Sequence, residues 1–365
     1  MKIAAPQKAL FTVASAVVSQ APAKTRVDLS LISDEDLMKV HVCDLPLKID
    51  GTWLQDCIGH LYQELDAQGI IFKPLCYLAD EWLTPTHETV IGIPFYLAHP
   101  RLTDLERRMM LEAEGETKDW CMKLLRHETG HAIAHAYQLN KKKKWQKLFG
   151  PSSAEYPETY RYRPYSRNYV RHLEGNYAQY HPDEDFVETF AVWMTPNSNW
   201  QEQYKGWKAL EKLQYVDQLM QEIKGRQPPV KSQNKFWRLS TLKMTLENFY
   251  KKKREFWAED FPDFHDANLQ KIFTEDKNRL ANIVFAGTIL ERHNKEIINT
   301  VSLWTGERKY VAGNLLRNIQ KRCRELKLMT TDPEPVIILR VSSYVTTLVM
   351  NYLYTGRFRG KKKLK

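Results

Sequence analysis

Two histidines and a glutamate at residues 127–131 form the stretch of this sequence with the clearest chemical meaning. His127 and His131 are four residues apart in a segment, 120–137, that has few helix breakers and apolar side chains at helical spacing. On a helix, residues four apart lie one turn above each other, so both imidazoles face one point. Such a pair can bind one metal ion. Glu128 borders the same face, where it can accept a proton without being a ligand.

The spacing His-Glu-x-x-His is the zinc metalloprotease motif. Because only three positions are fixed, the alternative is a surface helix with two hydrated histidines. Gly130 destabilises a helix interior by about 1 kcal/mol relative to alanine. A glycine here therefore favours the functional interpretation only if close packing is needed at that point.

A catalytic zinc ion needs three protein ligands and one open position. His135 lies on the same predicted helix, but two turns from His127, which is too far along the axis to reach the same ion. The longer motif HExxHxxGxxH, whose glycine breaks the helix to bring in a third histidine, is absent. His135 is therefore more typical of a packed or capping residue.

Glu184 and Glu188 are better candidates for completing the site. They are four residues apart on the next predicted helix after a long loop, so both carboxylates face one way. In zinc enzymes the first carboxylate of such a pair can bind the metal, while the second accepts the free N–H of a ligand histidine. The alternative is an acidic pair on a hydrated helix face, and the apolar neighbours Phe186, Val187 and Phe190 count against it.

Three stretches resemble a known family, the bacterial zinc-binding metallopeptidases of the gluzincin group: residues 93–102, 125–131 and 177–191. The zinc centre is also similar to that of anthrax lethal factor, in which a tyrosine, the ligand glutamate and a second glutamate are spaced like Tyr177, Glu184 and Glu188. The resemblance covers roughly residues 45–220. It implies nothing for the rest of the chain.

The resemblance implies one zinc ion per chain with three ligands, His127, His131 and Glu184. It assigns the general base to Glu128, and the support of a ligand histidine to Glu188. The implied reaction is hydrolysis of a peptide bond by a zinc-activated water. Peptides or proteins are the implied substrates.

Tyr177 matches the tyrosine that stabilises the oxyanion in related peptidases. Tyr180 is the second choice, because the geometry of a loop cannot be derived from spacing. The zincin fold also implies a strand that pairs with an extended substrate through main-chain hydrogen bonds. Residues 89–97 are the candidate for that strand.

The expected fold class is α+β, with a zincin-like metallopeptidase domain and a mostly helical C-terminal extension. The predicted divisions are a flexible segment 1–30, the zincin-like domain 31–225 and a basic, mostly helical region 226–365. Periodicity predicts helices at 50–69, 102–113, 117–137, 184–193 and 207–223. Short β-branched or aromatic runs predict strands at 70–72, 75–78, 89–93 and 95–97, and a strand-like or buried run at 335–339.

The composition indicates a globular protein in a reducing compartment. Of 365 residues, 43% are hydrophobic, and the five cysteines are odd in number, scattered and never spaced CxxC. No apolar run reaches the ~18 residues of a membrane span. Cytoplasmic localisation is predicted. Secretion is the alternative, because residues 1–23 could form a short signal peptide.

The net charge of +10 is unevenly distributed along the chain. From residue 231 onward there are 27 Lys and Arg against 14 Asp and Glu, a net +13, so the first 230 residues carry −3. Basic runs lie at 251–254, 321–324 and 357–365. They indicate either an anionic partner or acidic substrate attracted at long range, or a hydrated helix face with a lysine tail.

Two functions from different classes fit these observations. The first is a zinc-dependent metallopeptidase. The second is a zinc-containing binding protein, catalytically idle, whose basic C-terminal region engages an anionic partner. Glu128 favours the enzyme, because a purely structural zinc site needs no base.

Overall fold

The computed structural model describes residues 27–157, 162–163, 165–257, 265–274 and 284–355. Helices dominate these residues, and the few strands form two small sheets. The α+β class with a helical C-terminal region is therefore confirmed. Residues 1–26, which include most of the expected flexible segment and the possible signal peptide, lie outside the described residues, as does the basic run 357–365.

The described residues contain fourteen α-helices and four strands, two strands in the first third of the chain and two in the last third. The helices are α1 (Asp34–Lys39), α2 (Trp53–Ala67), α3 (Pro100–Met110), α4 (Lys118–Ala136), α5 (Lys143–Phe149), α6 (Pro182–Met194), α7 (Trp200–Gln203), α8 (Ala209–Ile223), α9 (Leu246–Trp257), α10 (Asp266–Leu269), α11 (Ala286–Arg292), α12 (Asn294–Thr305), α13 (Lys309–Glu325) and α14 (Glu334–Thr355). The strands are β1 (Leu75–Ala79), β2 (Val90–Pro94), β3 (Val284–Phe285) and β4 (Met329–Thr330).

The sheet beside α4 pairs β1 and β2 in parallel, and the connection between them returns along the other edge of β2. The Leu83 N–H donates to the Gly92 carbonyl at 3.2 Å, and the Gly92 N–H donates to the Leu83 carbonyl at 2.8 Å. A Cβ added at Gly92 would lie 2.5 Å from the Leu83 side chain, so this approach requires glycine. The segment around Leu83 therefore covers the edge of β2 that faces away from β1.

Some strand predictions are wrong. Residues 70–72 form no regular element, and residues 95–97 belong to the 3-10 turn Phe95–Ala98. Pro94 has no N–H to donate to a ladder, which explains why the strand ends there. The substrate strand expected at 89–97 is thus interrupted at Pro94. Its β2 part is buried, and Leu83 pairs with the edge that a substrate would need. The run 335–339 is helical, inside α14.

Helix α4 packs directly on α6 at Gly130. A Cβ added there would lie 2.9 Å from Cβ of Val187 and 3.1 Å from Cδ1 of Phe190. Any larger residue would push the two helices apart. The close packing that would justify a glycine inside α4 is therefore present, and it sets the distance between the helices that carry the candidate ligands.

The buried apolar side chains of the described residues form two large clusters. The first runs from Leu29 to Tyr250 and includes Tyr310, and the second runs from Leu269 to Leu353. Leu242, Leu246 and Phe249 belong to the first cluster although they follow the predicted boundary at residue 225. The division of the chain into domains stays a prediction, but packing of the first cluster continues well past that boundary.

Among the described residues, α14 is long and apolar enough to cross a membrane by length and composition. No such span was predicted from the sequence. Within this helix Ile337, Val341 and Val345 are buried in the second cluster, together with residues of α12 and α13. The apolar window of this helix is 39% buried, so these contacts enclose only part of it.

Candidate metal centre

Helix α4 brings His127 and His131 to one face. The helix begins after Thr117, whose hydroxyl accepts a hydrogen bond from the Trp120 N–H at 3.3 Å and caps the first turn. Both histidines are buried, and their ring centroids lie 5.2 Å apart. The alternative of two hydrated histidines on a surface helix does not describe this arrangement.

Helix α6 brings Glu184 and Glu188 to the same place. It begins at Pro182, where a missing N–H is tolerated, and the His181 ring accepts a hydrogen bond from the Asp183 N–H at 3.1 Å. The first helical turn, where carboxylates are favoured by the helix dipole, contains Glu184. Both glutamates are fully buried, so they do not lie on a hydrated helix face.

Three side chains converge as a metal site requires. Nε2 of His127 and of His131 lie 3.2 and 3.6 Å from Oε2 of Glu184. One ligand atom from each residue can be chosen so that all three lie within 4.8 Å of one another, and this group could hold a metal ion.

Two of these atoms have no hydrogen-bond partner among the described residues, although they are buried: His131 Nε2 and Glu184 Oε2. A buried polar atom left in this way destabilises a protein by about 1–3 kcal/mol. A bound cation removes that penalty. Two imidazoles and one carboxylate form the donor set of catalytic zinc sites, so the residues present fit a zinc ion.

Burial opposes ionisation of Glu184, but the charge on His131 and the close approach of His127 lower its pKa below the ordinary value. Glu184 is therefore a carboxylate at neutral pH. This is the ionisation state that a metal ligand needs.

Glu188 contacts the ring nitrogen of His127 that does not face Glu184. Its Oε1 lies 2.8 Å from Nδ1 of His127, and its Oε2 accepts a hydrogen bond from the Leu173 N–H at 2.9 Å. Because a carboxylate accepts, the His127 proton lies on Nδ1 and leaves Nε2 free to bind a metal. The role of Glu188 as support for a ligand histidine stays a prediction, and this contact is the one that it requires.

Glu128 is buried beside this group, and its Oε2 has no hydrogen-bond partner among the described residues. Burial raises its pKa, while the charges on His127 and His131 oppose the rise. Its backbone carbonyl accepts a hydrogen bond from the Thr84 hydroxyl at 3.1 Å. The segment around Leu83 thus lies against α4 at the position of the candidate base.

The two candidate loop tyrosines have different surroundings. The Tyr177 ring centroid lies 5.6 Å from that of His127. The Tyr180 hydroxyl donates to the Pro157 carbonyl at 3.1 Å. Tyr177 is therefore the one placed against a candidate ligand, whereas Tyr180 has a structural hydrogen bond within the loop.

Tyr156 also contacts a candidate ligand, although it was not predicted from the sequence. Its hydroxyl donates to Oε1 of Glu184 at 2.9 Å, and its ring stacks on His181 with centroids 3.8 Å apart. Burial, and then the charge of Glu184, raises the pKa of Tyr156, so the hydroxyl keeps its proton. The only sequence signal for this residue was the tyrosine-rich composition of residues 150–181.

His135 does not join the metal group. Its Nδ1 lies 2.9 Å from the Glu88 carbonyl oxygen, and burial lowers its pKa to about 4. It is a neutral, packed histidine two turns from His127. This is the role expected from the helical spacing.

Comparison with known proteins bears on this centre directly. Residues 81–225, which contain all the candidate site residues, match the model of a family described as "Putative zinc-binding metallo-peptidase". This segment is similar to that family. No curated protein and no solved structure matches the chain. The predicted resemblance to zinc-binding metallopeptidases is therefore confirmed for this segment, while the bacterial assignment, the gluzincin type and the likeness to lethal factor stay predictions.

Proposed function

We propose that this chain is a zinc-dependent metallopeptidase that hydrolyses peptide bonds in peptides or proteins. One observation carries the proposal: His127, His131 and Glu184 converge in a buried group, with the carboxylate of Glu128 beside it. The family match of residues 81–225 supports the same reaction class. One zinc ion per chain, of gluzincin type, is part of the proposal.

The ligands in this proposal are His127, His131 and Glu184. When bound, zinc lowers the pKa of water and polarises a substrate carbonyl. Glu188 keeps the His127 proton on Nδ1, so that Nε2 stays available. Glu128 is the general base: it removes a proton from the attacking water and returns it to the leaving amine.

Tyr177 is proposed to donate its hydroxyl hydrogen bond to the developing oxyanion. Burial, and then the charge of Glu184, raises its pKa far above the ordinary value. The hydroxyl therefore remains a donor throughout the working pH range. A donor directed at an oxyanion stabilises the transition state more than the bound substrate.

Residues 82–84 are proposed to lie beside the substrate instead of residues 89–97. Leu83 exchanges backbone hydrogen bonds with Gly92, and the Thr84 hydroxyl donates to the Glu128 carbonyl at 3.1 Å. A peptide that runs along this segment would therefore pass the candidate base.

Peptide turnover before and after chelation tests this function. We expect the wild-type protein to cleave peptides from a proteome-derived library, to lose that activity with a chelator and to regain it with zinc. Glu128→Gln should keep its zinc and lose turnover, because it removes the base and not a ligand. Turnover by Glu128→Gln at the wild-type rate would contradict the assignment of the base.

Cytoplasmic localisation and an anionic partner of the C-terminal region remain proposals. Mass spectrometry of the native N-terminus tests the first, because a chain that begins near Lys24 would indicate a cleaved signal peptide. The second is tested by salt: capture of an anionic partner should weaken steeply as salt rises, while cleavage of a short neutral peptide should not. Capture that is independent of salt would contradict it.

A further inference from the structure

The two oxygens of the Glu184 carboxylate have different surroundings. Oε2 faces Nε2 of His127 and of His131. Oε1 accepts the hydrogen bond from the Tyr156 hydroxyl at 2.9 Å. A carboxylate can present either oxygen or both to a cation, so this hydrogen bond distinguishes the two.

Residues 152–156, which include Tyr156, contact the residues at the start of α6. The Ser152 hydroxyl donates to Oδ2 of Asp183 at 3.2 Å. Nε2 of His181 lies 2.8 Å from the Ala154 carbonyl oxygen, and the same ring stacks on Tyr156. These contacts hold the Tyr156 ring in place independently of its hydroxyl. The hydroxyl is therefore directed at Glu184 by a built arrangement.

We propose that Tyr156 is a positioning residue for the metal, which holds Oε1 of Glu184 so that Oε2 alone is directed at His127 and His131. The inference rests on the proposed function only in placing zinc at these three residues. Groups that hydrogen-bond a metal ligand fix its orientation, and their loss typically weakens metal binding by about 10–100-fold. Tyr156 would thus orient Glu184 through a hydrogen bond, as Glu188 orients His127.

Zinc affinity of Tyr156→Phe, measured by competition with a chromophoric chelator, tests the proposal. The substitution keeps the ring that stacks on His181 and removes only the hydroxyl. We expect zinc binding about 10–100-fold weaker than in the wild type. The visible absorption spectrum of the cobalt-loaded protein should also change, because a freed carboxylate alters the metal environment.

Tyr180→Phe is the matched control. It removes a hydroxyl from the same group of tyrosines, but one that donates to the Pro157 carbonyl and not to Glu184. We expect it to keep the zinc affinity and the cobalt spectrum of the wild type.

Two results would overturn the inference: unchanged zinc affinity in Tyr156→Phe, or an equal loss in Tyr180→Phe, which would indicate a general effect of the tyrosine group. Both leave the proposed function intact as long as the wild type binds zinc. A wild-type protein that binds no zinc would instead refute the metal site itself.

Discussion

Among single residues, Glu188 is expected to affect metal binding although it is not a proposed ligand. Both of its oxygens are used, one by His127 and one by the Leu173 N–H. Glu188→Ala should therefore weaken zinc binding by about 10–100-fold without abolishing it, as chelator competition can measure. If Glu188→Ala lost its zinc while Glu184→Ala kept it, the two roles would be reversed.

Tyr177→Phe addresses the oxyanion donor. Because the hydroxyl acts mainly on the transition state, we expect a lower kcat, little change in KM and an unchanged zinc content. Steady-state kinetics on a cleaved peptide measures both constants. An unchanged kcat would contradict the role of Tyr177 as oxyanion donor, and Tyr180 would be the next residue to test.

Helical spacing predicted that each of two pairs of side chains shares one face, whereas the meeting of the two pairs was implied by the family resemblance. His127 with His131, and Glu184 with Glu188, are both pairs four residues apart, and period alone places each pair on one face. Tyr156 could not be found in this way. It lies in a loop, where the direction of a side chain depends on contacts such as the stack on His181 that no local pattern encodes.

Among the helices, the close packing of α4 on α6 depends on Gly130, and Gly130→Ala tests this dependence. The added Cβ overlaps Val187, and overpacking of this kind costs about 1–3 kcal/mol. We expect a lower free energy of unfolding, measured with denaturant, and weaker zinc binding because the ligand pairs move apart.

Gly59→Ala in α2 is the control for this change. A Cβ at Gly59 has no atom within 4 Å, so the substitution should leave stability unchanged or raise it by up to about 1 kcal/mol through helix propensity. Equal effects of the two substitutions would contradict the view that Gly130 sets the helix spacing.

Element prediction succeeded for long helices and failed for short runs. Predictions 50–69 and 184–193 correspond to Trp53–Ala67 and Pro182–Met194, because many periodic positions define each of them. Residues 95–97 have strand-like composition, yet they turn after Pro94. The pairing of Leu83 with Gly92 was not predicted either, because tertiary packing decides which short segment covers a sheet edge.

In the whole molecule, ion pairs with carboxylates of the first 230 residues neutralise part of the positive charge of the C-terminal region. Lys253 is buried, with Nζ 2.6 Å from Glu106 and in contact with Glu81. Arg308 pairs with Glu114 at 3.2 Å, and the carboxylates of these pairs all belong to the first 230 residues. The excess of +13 beyond residue 230 therefore overstates the charge that is available to an anionic partner.

Truncation after Gly225 tests whether the C-terminal region is separable. It removes Leu242, Leu246 and Phe249 from the first core cluster, and burying each such side chain contributes about 1.5–3 kcal/mol. The sum is comparable to the ~5–15 kcal/mol that stabilises a whole domain. We expect the truncated chain not to fold cooperatively, as circular dichroism during heating would show. A cooperative transition with retained zinc would contradict this.

The central claim, a zinc ion held by His127, His131 and Glu184, is tested most directly by elemental analysis of the purified protein. Wild type and Glu184→Ala are purified side by side, loaded with zinc and freed of excess metal. We predict about one zinc per wild-type chain, as expected for a site with three protein ligands, and a strongly reduced content in Glu184→Ala. A full zinc complement in Glu184→Ala, or no zinc in the wild type, would contradict it.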